Sequence, residues 1–309
     1  MLSIVIPSYN EEENIKNTAE VVLELMDKSH VETELVFVDD GSSDLTWDKI
    51  CSLHSADPRV RGVRLSRHFG KEGGILAGLR ASRGDAVCVM DCDLQHPPET
   101  ILSMLKLWQE GAMVVEGKKS SRGEESRLYS SLSGLFYRLM SVNGMNMHNT
   151  SDFKLLDRRV VEAITSLPER GTFFRALSGW VGFESKTVYY DVAKRAYGKR
   201  KWSVFSLIGY ALRNIISFSS LPLHIASVLG GVISAAAVIM LILLAFGCGL
   251  GSFTPASLLI LLTLGLILCC LGILGSYIAR IYEETRRRPR YIVASTTDSP
   301  EDGDSSRGA

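Results

Sequence analysis

The first half of the chain alternates between short apolar runs and stretches whose apolar residues recur with a helical period. Apolar runs of about four to eight residues are typical of buried parallel strands, and a period of about 3.6 residues is typical of amphipathic helices. The predicted strands are 2–6, 34–38, 60–65, 86–90, 112–116 and 185–191, and the predicted helices are 11–28, 71–82, 97–110, 126–142, 158–166 and 172–180. This alternation predicts an α/β fold built on a doubly wound, mostly parallel sheet.

A long uncharged interval follows this alternating region. No Asp, Glu, Lys or Arg lies between Asn214 and Ala279. Two apolar stretches in this interval, 223–247 and 256–279, are each longer than the roughly 20 residues that a helix needs to cross a bilayer. A pair of buried core helices is the alternative, but soluble cores rarely contain two uncharged helices of this length. The pattern favours a C-terminal two-helix transmembrane hairpin.

Basic residues flank the predicted hairpin on both sides. They are Lys194, Arg195, Lys199, Arg200, Lys201 and Arg213 before it, and Arg280, Arg286, Arg287, Arg288 and Arg290 after it. Because cytoplasmic segments next to spans are enriched in Lys and Arg, both termini are predicted to be cytoplasmic, as in a bacterial inner membrane protein. No charged segment followed by a long apolar run opens the sequence, so no signal peptide is predicted.

The composition shift divides the chain into four predicted parts. They are a cytosolic α/β domain at 1–203, an interfacial amphipathic helix at 204–222, the hairpin at 223–282, and a basic and then disordered cytosolic tail at 283–309. The net formal charge is zero and no basic patch interleaved with aromatic residues occurs, so no nucleic-acid partner is predicted. The six cysteines form no C-x-x-C pair, which favours structural thiols and no zinc site.

Two carboxylates, Asp91 and Asp93, stand where the apolar run 86–90 ends. The spacing alone is weak evidence, because Asp302 and Asp304 in the tail repeat it. The position is more informative, since the carboxyl ends of parallel strands meet at the crevice where open α/β sheets bind ligands. The segments 7–11 and 38–42 also follow predicted strands and carry polar residues, so the sequence predicts one polar crevice formed by three strand ends.

The glycine-rich loops that cradle phosphates elsewhere are missing from this crevice. No Gly-x-Gly-x-x-Gly follows the first strand, and Gly70-Lys71-Glu72 lacks the earlier glycine of a Walker loop. Binding of a diphosphate is therefore predicted to depend on a divalent cation held by carboxylates, with help from Lys or Arg. His68, His96 and His148 lack metal-ligand spacing and are interpreted as structural.

Five segments resemble the motifs of glycosyltransferase family 2, polyprenyl-phosphate branch. They are Tyr9-Asn10-Glu11-x-x-Asn14, Val38-Asp39-Asp40-Gly41-Ser42, Arg67-x-Phe69-Gly70-Lys71, the run from Asp91 to Glu99, and Ser151-Asp152-Phe153. The resemblance extends from about Leu2 to Arg290. It implies a GT-A type fold, Mg²⁺ or Mn²⁺, and inverting transfer of a sugar from a UDP- or GDP-linked donor to the membrane lipid undecaprenyl or dolichyl phosphate.

The resemblance also implies roles for individual residues. The nucleotide would contact Pro7, Tyr9, Glu11, Val38, Asp40 and Asp91; the metal would contact Asp91, Asp93 and Gln95; phosphates would contact Arg122, Arg127, Arg195 and Lys201. Lys71 belongs to one of the matching motifs. Asp93 and Asp152 are the implied catalytic residues, with Asp152 orienting the acceptor or acting as a weak base; its alternative is a helix cap or turn residue.

Other functions stay open at the level of the sequence. A catalytically silent nucleotide-sugar-binding membrane scaffold would use the same crevice without turnover. A transporter is less favoured, because two spans without an intramembrane charge provide no polar path unless the chain forms a homo-oligomer. The Gln-x-x-Arg-Trp motif of processive polysaccharide synthases is absent around Trp180. The preferred hypothesis is therefore a membrane-anchored glycosyltransferase that transfers one sugar.

Overall fold

The computed structural model describes residues 1–120, 151–167, 174–191, 232, 254–286 and 288–298. The chain divides into two compact units, one made of Met1–Gly134, Met145–Lys201 and Pro289–Ala309, the other of Leu135–Gly144 and Trp202–Arg288. The predicted helix 126–142, the interfacial helix 204–222 and, except for Val232, the first predicted span lie outside the described residues.

The first unit contains a mixed eight-stranded sheet with helices on both faces. Its strands are β1 (Leu2–Ser8), β2 (Thr33–Asp39), β3 (Val60–Leu65), β4 (Ala86–Val89), β5 (Val114–Lys119), β6 (Lys154–Asp157), β7 (Ser185–Tyr190) and β8 (Val293–Thr296). Its helices are α1 (Ile15–Lys28), α2 (Thr46–Ala56), α3 (Lys71–Ala81), α4 (Glu99–Gln109), α5 (Arg158–Ser166) and α6 (Phe174–Trp180).

The sheet order is β7-β5-β6-β4-β1-β2-β3-β8. The four neighbouring strands β4, β1, β2 and β3 are parallel, as predicted. The prediction of a mostly parallel sheet is confirmed, since β5 and β7 run in this direction too; β6, antiparallel to β4 and β5, and β8, antiparallel to β3, are the two exceptions and make the sheet mixed. A short apolar run indicates burial but not strand direction, which depends on how the chain returns to the sheet.

Alternation of side chains along the strands produces two hydrophobic cores. Ile4 and Ile6 of β1 belong to the core beneath α1 and α4, whereas Val5 belongs to the core beneath α3 and α5. Helix α3 lies very close to the sheet, because a Cβ atom at Gly78 would collide with Val5. In the first turn of α3, a Cβ atom at Gly74 would lie 3.4 Å from Pro7 and 3.9 Å from Val38, so this turn packs on the ends of β1 and β2.

Strand β1 lies at the point where the connections of the sheet change direction. The chain continues from β1 to β2 and β3 on one side, and β4 pairs with β1 on the other side. At such a switch point the loops after neighbouring strands diverge and leave a crevice at their carboxyl ends. The loops that follow β1, β2 and β4 surround this crevice.

The strand β8 lies within the segment 283–309, for which the sequence predicts a basic and then disordered tail. Val293–Thr296 pairs antiparallel with β3, and Thr297 Oγ1 accepts a hydrogen bond from the Gly62 N–H at 2.9 Å. Asp298 accepts hydrogen bonds from Arg61 and Arg83, each at 2.8 Å. For residues 293–298 the tail assignment is therefore corrected: they complete the edge of the sheet.

The second unit contains α7 (Thr254–Thr285), a helix of 32 residues. Several of its described apolar side chains are exposed, namely Ile260, Ile267, Leu271, Leu274, Ile278, Ile281 and Tyr282. Over the residues that the structure describes, no helix is both long and apolar enough to cross a membrane. The two spans therefore stay predictions.

Candidate active site

The loop after β4 carries Asp91 and Asp93 into the crevice. Three hydrogen bonds shape it: the Thr18 hydroxyl donates to the Cys92 carbonyl at 2.6 Å, the Gln95 N–H donates to Asp93 Oδ1 at 3.2 Å, and the Asp91 N–H donates to His96 Nδ1 at 3.3 Å. Leu94 has a φ of 54°, a left-handed conformation that is rare for a branched side chain. These hydrogen bonds thus fix the conformation of the loop after β4.

His96 links this loop to the segment that contains Asp152. Its ring stacks on Phe153 with centroids 4.7 Å apart and planes inclined by 4°. Burial lowers the pKa of His96, and the charge of Asp91 only partly opposes this effect. A neutral imidazole has one ring nitrogen free to accept, which matches the hydrogen bond from the Asp91 N–H. The interpretation of His96 as structural agrees with this geometry.

Lys71, the first residue of α3, connects two carboxylates that are distant in the sequence. Its Nζ lies 2.5 Å from Asp91 Oδ1 and 2.8 Å from Asp152 Oδ2. Burial alone would lower the pKa of Lys71, but the charges of Asp152 and Asp91 raise it above its usual value. Lys71 therefore stays protonated and bridges the two acidic groups as a cation.

Arg175 on α6 is the second cationic partner of Asp152. Arg175 Nε donates to Asp152 Oδ1 at 2.7 Å and Nη2 donates to Oδ2 at 2.9 Å, so the pair is bidentate. Burial would raise the pKa of Asp152, but the charges of Lys71 and Arg175 hold it far below its usual value. Asp152 is therefore a buried, ionised carboxylate between two cations.

Glu72 connects α3 to the start of α6. Its Oε2 accepts a hydrogen bond from the Phe174 N–H at 2.8 Å. Burial, followed by the charge of Asp152, raises the pKa of Glu72 to about 7. The two consecutive residues Lys71 and Glu72 thus connect the start of α3 to different groups: Lys71 contacts Asp91 and Asp152, and Glu72 contacts the start of α6. Neither Glu72 nor Arg175 was a predicted site residue.

Asp40 fixes the loop that leads into α3. Oδ1 accepts from the Phe69 N–H at 2.7 Å, Oδ2 accepts from the Gly70 N–H at 2.8 Å, and His68 Nδ1 lies 2.9 Å from Oδ2. Burial raises the pKa of Asp40, although these hydrogen bonds oppose the effect. The structure therefore gives Asp40 a local role in positioning Lys71, and its implied contact with a base stays a prediction.

Gly41 permits the close approach that these hydrogen bonds require. Its φ is 68°, and a Cβ atom there would lie 2.5 Å from the carbonyl carbon of Arg67. The Tyr9 ring lies 4.1 Å from the His68 ring, centroid to centroid, with the planes inclined by 31°. The ends of β1 and β2 and the loop before α3 therefore meet at one place.

The structure brings most of the predicted site residues to this side of the sheet. Pro7 and Val38 lie at the ends of β1 and β2, and Glu11 accepts a hydrogen bond from the Asn14 side chain at 2.7 Å. The predicted phosphate-binding residues Arg122, Arg127, Arg195 and Lys201 lie outside the described residues. Their roles stay predictions.

Two carboxylates of the crevice could hold a divalent cation together with a bound ligand. Among the described residues, no group of three or more His, Cys, Asp and Glu side chains could hold a metal ion by itself. Mg²⁺ is commonly bound by one or two carboxylates together with phosphate oxygens and water. Asp91 and Asp93 supply such a pair, so the donor set fits a cation that is shared with a bound diphosphate.

Comparison with known proteins decides the family. The sequence profile described as Glycosyl transferase family 2 matches residues 3–165, which is more than half of the chain. This chain belongs to glycosyl transferase family 2. The family resemblance predicted from the five motifs is therefore confirmed.

Several relatives align with nearly the whole chain. A prophage bactoprenol glucosyl transferase homolog of Escherichia coli is 37% identical over 299 residues, which cover 94% of this chain and 98% of the relative. The bactoprenol glucosyl transferase of Shigella phage SfV is 37% identical and covers 94% and 97%. An uncharacterised glycosyltransferase of Synechocystis is 36% identical and covers 95% and 94%.

A solved structure confirms the fold. Glucosyl-3-phosphoglycerate synthase from Mycobacterium tuberculosis, in complex with Mn²⁺ and uridine-diphosphate-glucose, superposes with a TM-score of 0.52 at 21% identity. The match covers 70% of this chain and 77% of that chain. The likeness establishes the mixed α/β sheet of the GT-A type for the first unit.

Proposed function

We propose that this family 2 glycosyltransferase transfers glucose from a nucleotide-sugar donor to polyprenyl phosphate. The relatives that carry the name bactoprenol glucosyl transferase support both the sugar and the acceptor. One structural observation carries the proposal: at the switch point of the sheet, the Asp91-x-Asp93 loop lies beside the ion-paired cluster of Lys71, Asp152 and Arg175. In this proposal Asp91 and Asp93 serve the donor, and the neighbouring carboxylate of Asp152 serves the acceptor.

On the donor side, Asp91 and Asp93 would hold Mg²⁺ or Mn²⁺. The charge of Lys71 keeps the pKa of Asp91 below its usual value despite burial, so this carboxylate is ionised at neutral pH. A bound cation neutralises the charge that develops on the leaving diphosphate. The complex of the M. tuberculosis enzyme with Mn²⁺ and uridine-diphosphate-glucose supports this assignment.

On the acceptor side, we assign Asp152 an orienting role. A phosphate acceptor is already an anion, so its oxygen can attack the sugar without losing a proton first. Asp152 is a weak base, because Lys71 and Arg175 hold its pKa far below the usual value. Of the two roles implied for Asp152, orientation of the acceptor therefore agrees better with the electrostatics than proton transfer does.

We also propose that the chain is anchored in a membrane with its α/β domain on the cytoplasmic side. Three features support this: the interval without charged residues from Asn214 to Ala279, the basic flanks on both sides of it, and the exposed apolar side chains on α7. A polyprenyl phosphate acceptor resides in a membrane, so an anchor would bring enzyme and acceptor together.

The test is a transfer assay with the full chain in membranes. Membranes containing the protein are incubated with Mg²⁺ and a panel of nucleotide sugars, and the lipid products are identified by mass spectrometry. We expect a hexosyl polyprenyl phosphate from one glucose donor, and its loss in Asp93→Asn. Donor binding by calorimetry without any lipid product would contradict the proposal and favour a silent binding subunit. Near-normal turnover of Asp93→Asn would contradict the metal assignment.

A further inference from the structure

Asp152 belongs to a closed ring of polar contacts. Lys71 on α3 contacts Asp152, Asp152 contacts Arg175 on α6, and the first residue of α6, Phe174, donates its N–H to Glu72, which follows Lys71. Each contact is between 2.7 and 2.9 Å long. The ring therefore links three parts of the fold by polar contacts: α3, α6, and the segment before β6 that contains Asp152.

Within this ring Arg175 makes the contact that fixes the orientation of the Asp152 carboxylate. A lysine ammonium is a point charge that tolerates rotation of its partner, whereas a guanidinium binds both oxygens of a carboxylate in one plane. Asp152 is only 5% exposed, so water contributes little to holding its orientation. The direction of the carboxylate is thus set mainly by Arg175.

We propose that Arg175 is a positioning residue for the acceptor, acting through Asp152; this inference rests on the proposed function. An anionic acceptor that approaches Asp152 is repelled by its negative charge. Arg175 and Lys71 offset this charge while they hold the carboxylate in a single orientation. Lys71 is shared between Asp152 and Asp91 on the donor side, whereas Arg175 binds both oxygens of Asp152.

The kinetic test compares three variants of the full-length protein in detergent. Arg175→Ala is expected to raise KM for a prenyl phosphate, or to lower kcat, by about tenfold or more, as expected for a lost charge-assisted pair. KM for the nucleotide sugar should change less than about twofold, and Arg175→Lys should recover part of the loss. The control is Arg59→Ala, which removes another guanidinium that pairs with carboxylates, Asp57 and Asp27, away from the crevice.

Two kinetic results would overturn the inference. One is Arg175→Ala behaving like Arg59→Ala. The other is an equal rise of KM for donor and acceptor, which would indicate general loosening of the domain. Thermal unfolding of each variant identifies a folding defect. If Arg175→Ala has such a defect, the kinetic constants of Arg175→Lys are compared with those of the wild type instead.

A binding cycle separates this inference from the proposed function, because it requires no turnover. Calorimetry measures the affinity for farnesyl phosphate in the wild type, Arg175→Ala, Asp152→Asn and the double variant. We expect Arg175→Ala to weaken binding about tenfold in the wild-type background and less than about twofold in the Asp152→Asn background. Equal losses in both backgrounds would show that Arg175 does not act through Asp152. Absence of lipid product from the wild type would instead reject the proposed function.

Discussion

At the scale of single residues, Lys71 contacts both Asp91, which is assigned to the donor, and Asp152, which is assigned to the acceptor. Replacing it by methionine keeps most of the volume but leaves Asp91 and Asp152 without their shared cation. Its side chain is 39% exposed, so the loss is smaller than for a fully buried pair, about 2 kcal/mol or roughly 30-fold in rate. Initial rates of lipid glycosylation measure this effect.

The matched control for Lys71→Met is Lys16→Met, which removes an exposed lysine of α1 that pairs with Glu20 at 3.7 Å. Its rate should equal that of the wild type, because exposed pairs contribute little. A Lys71→Met rate within about twofold of the wild type would contradict the bridging role of Lys71.

Glu72 predicts a pH dependence of stability. Its pKa of about 7 in the folded protein exceeds the usual value of 4.5, so folding favours the protonated form. The stability that this provides is complete below pH 4.5 and is lost as the pH rises towards 7. Glu72→Gln stays neutral, so its thermal midpoint relative to the wild type should be higher at pH 8 than at pH 5. An equal difference at both values would contradict the raised pKa.

The residues of the site differ in how readily the sequence reveals them. Asp91, Asp93 and Lys71 stand directly after strands or at a helix start, where local pattern is informative. Arg175 and Glu72 gain their roles from partners far away in the chain: Glu72 and the Phe174 N–H are 102 residues apart. No spacing rule encodes such a contact, because it depends on how α3 and α6 pack in the finished fold.

At the scale of elements, the strand periodicity predicted the parallel centre of the sheet well. The five predicted strands from β1 to β5 all occur, with ends that differ by at most a few residues. The edges were predicted less well. Val293–Thr296 is a run of only four residues beside a basic segment, and its strand conformation comes from pairing with β3 rather than from local preference.

The strand β8 gives an element-scale prediction. Truncation after Arg288 removes β8 together with Asp298, the carboxylate that pairs with Arg61 and Arg83. It also turns β3 into an open edge, which favours aggregation. We expect the thermal midpoint to fall by about 5 °C or more. The control is truncation after Asp298, which should match the full chain; equal midpoints for both truncations would contradict a stabilising role of β8.

At the scale of the whole molecule, the family and the fold of the first unit were accessible from the sequence. The reason is that the short motifs that resemble the family stand at the ends of predicted strands. The polar ends of β1, β2 and β4 were predicted to share a crevice, and the topology places them at the switch point. The antiparallel direction of β6 and the existence of β8 were not accessible in this way, because they depend on pairing with strands that are distant in the sequence.

The distance in sequence between β3 and β8 has a consequence for how the protein is made. Gly62 on β3 and Thr297, which bonds to it, are separated by 235 positions. A ribosome therefore finishes the segments for β1 to β7 and for α7 well before the last strand emerges. Contacts of such long sequence separation form late and slowly. Until β8 has been synthesised, β3 is an unpaired edge strand of the nascent domain. Pairing of β8 with β3 therefore indicates that synthesis has passed α7.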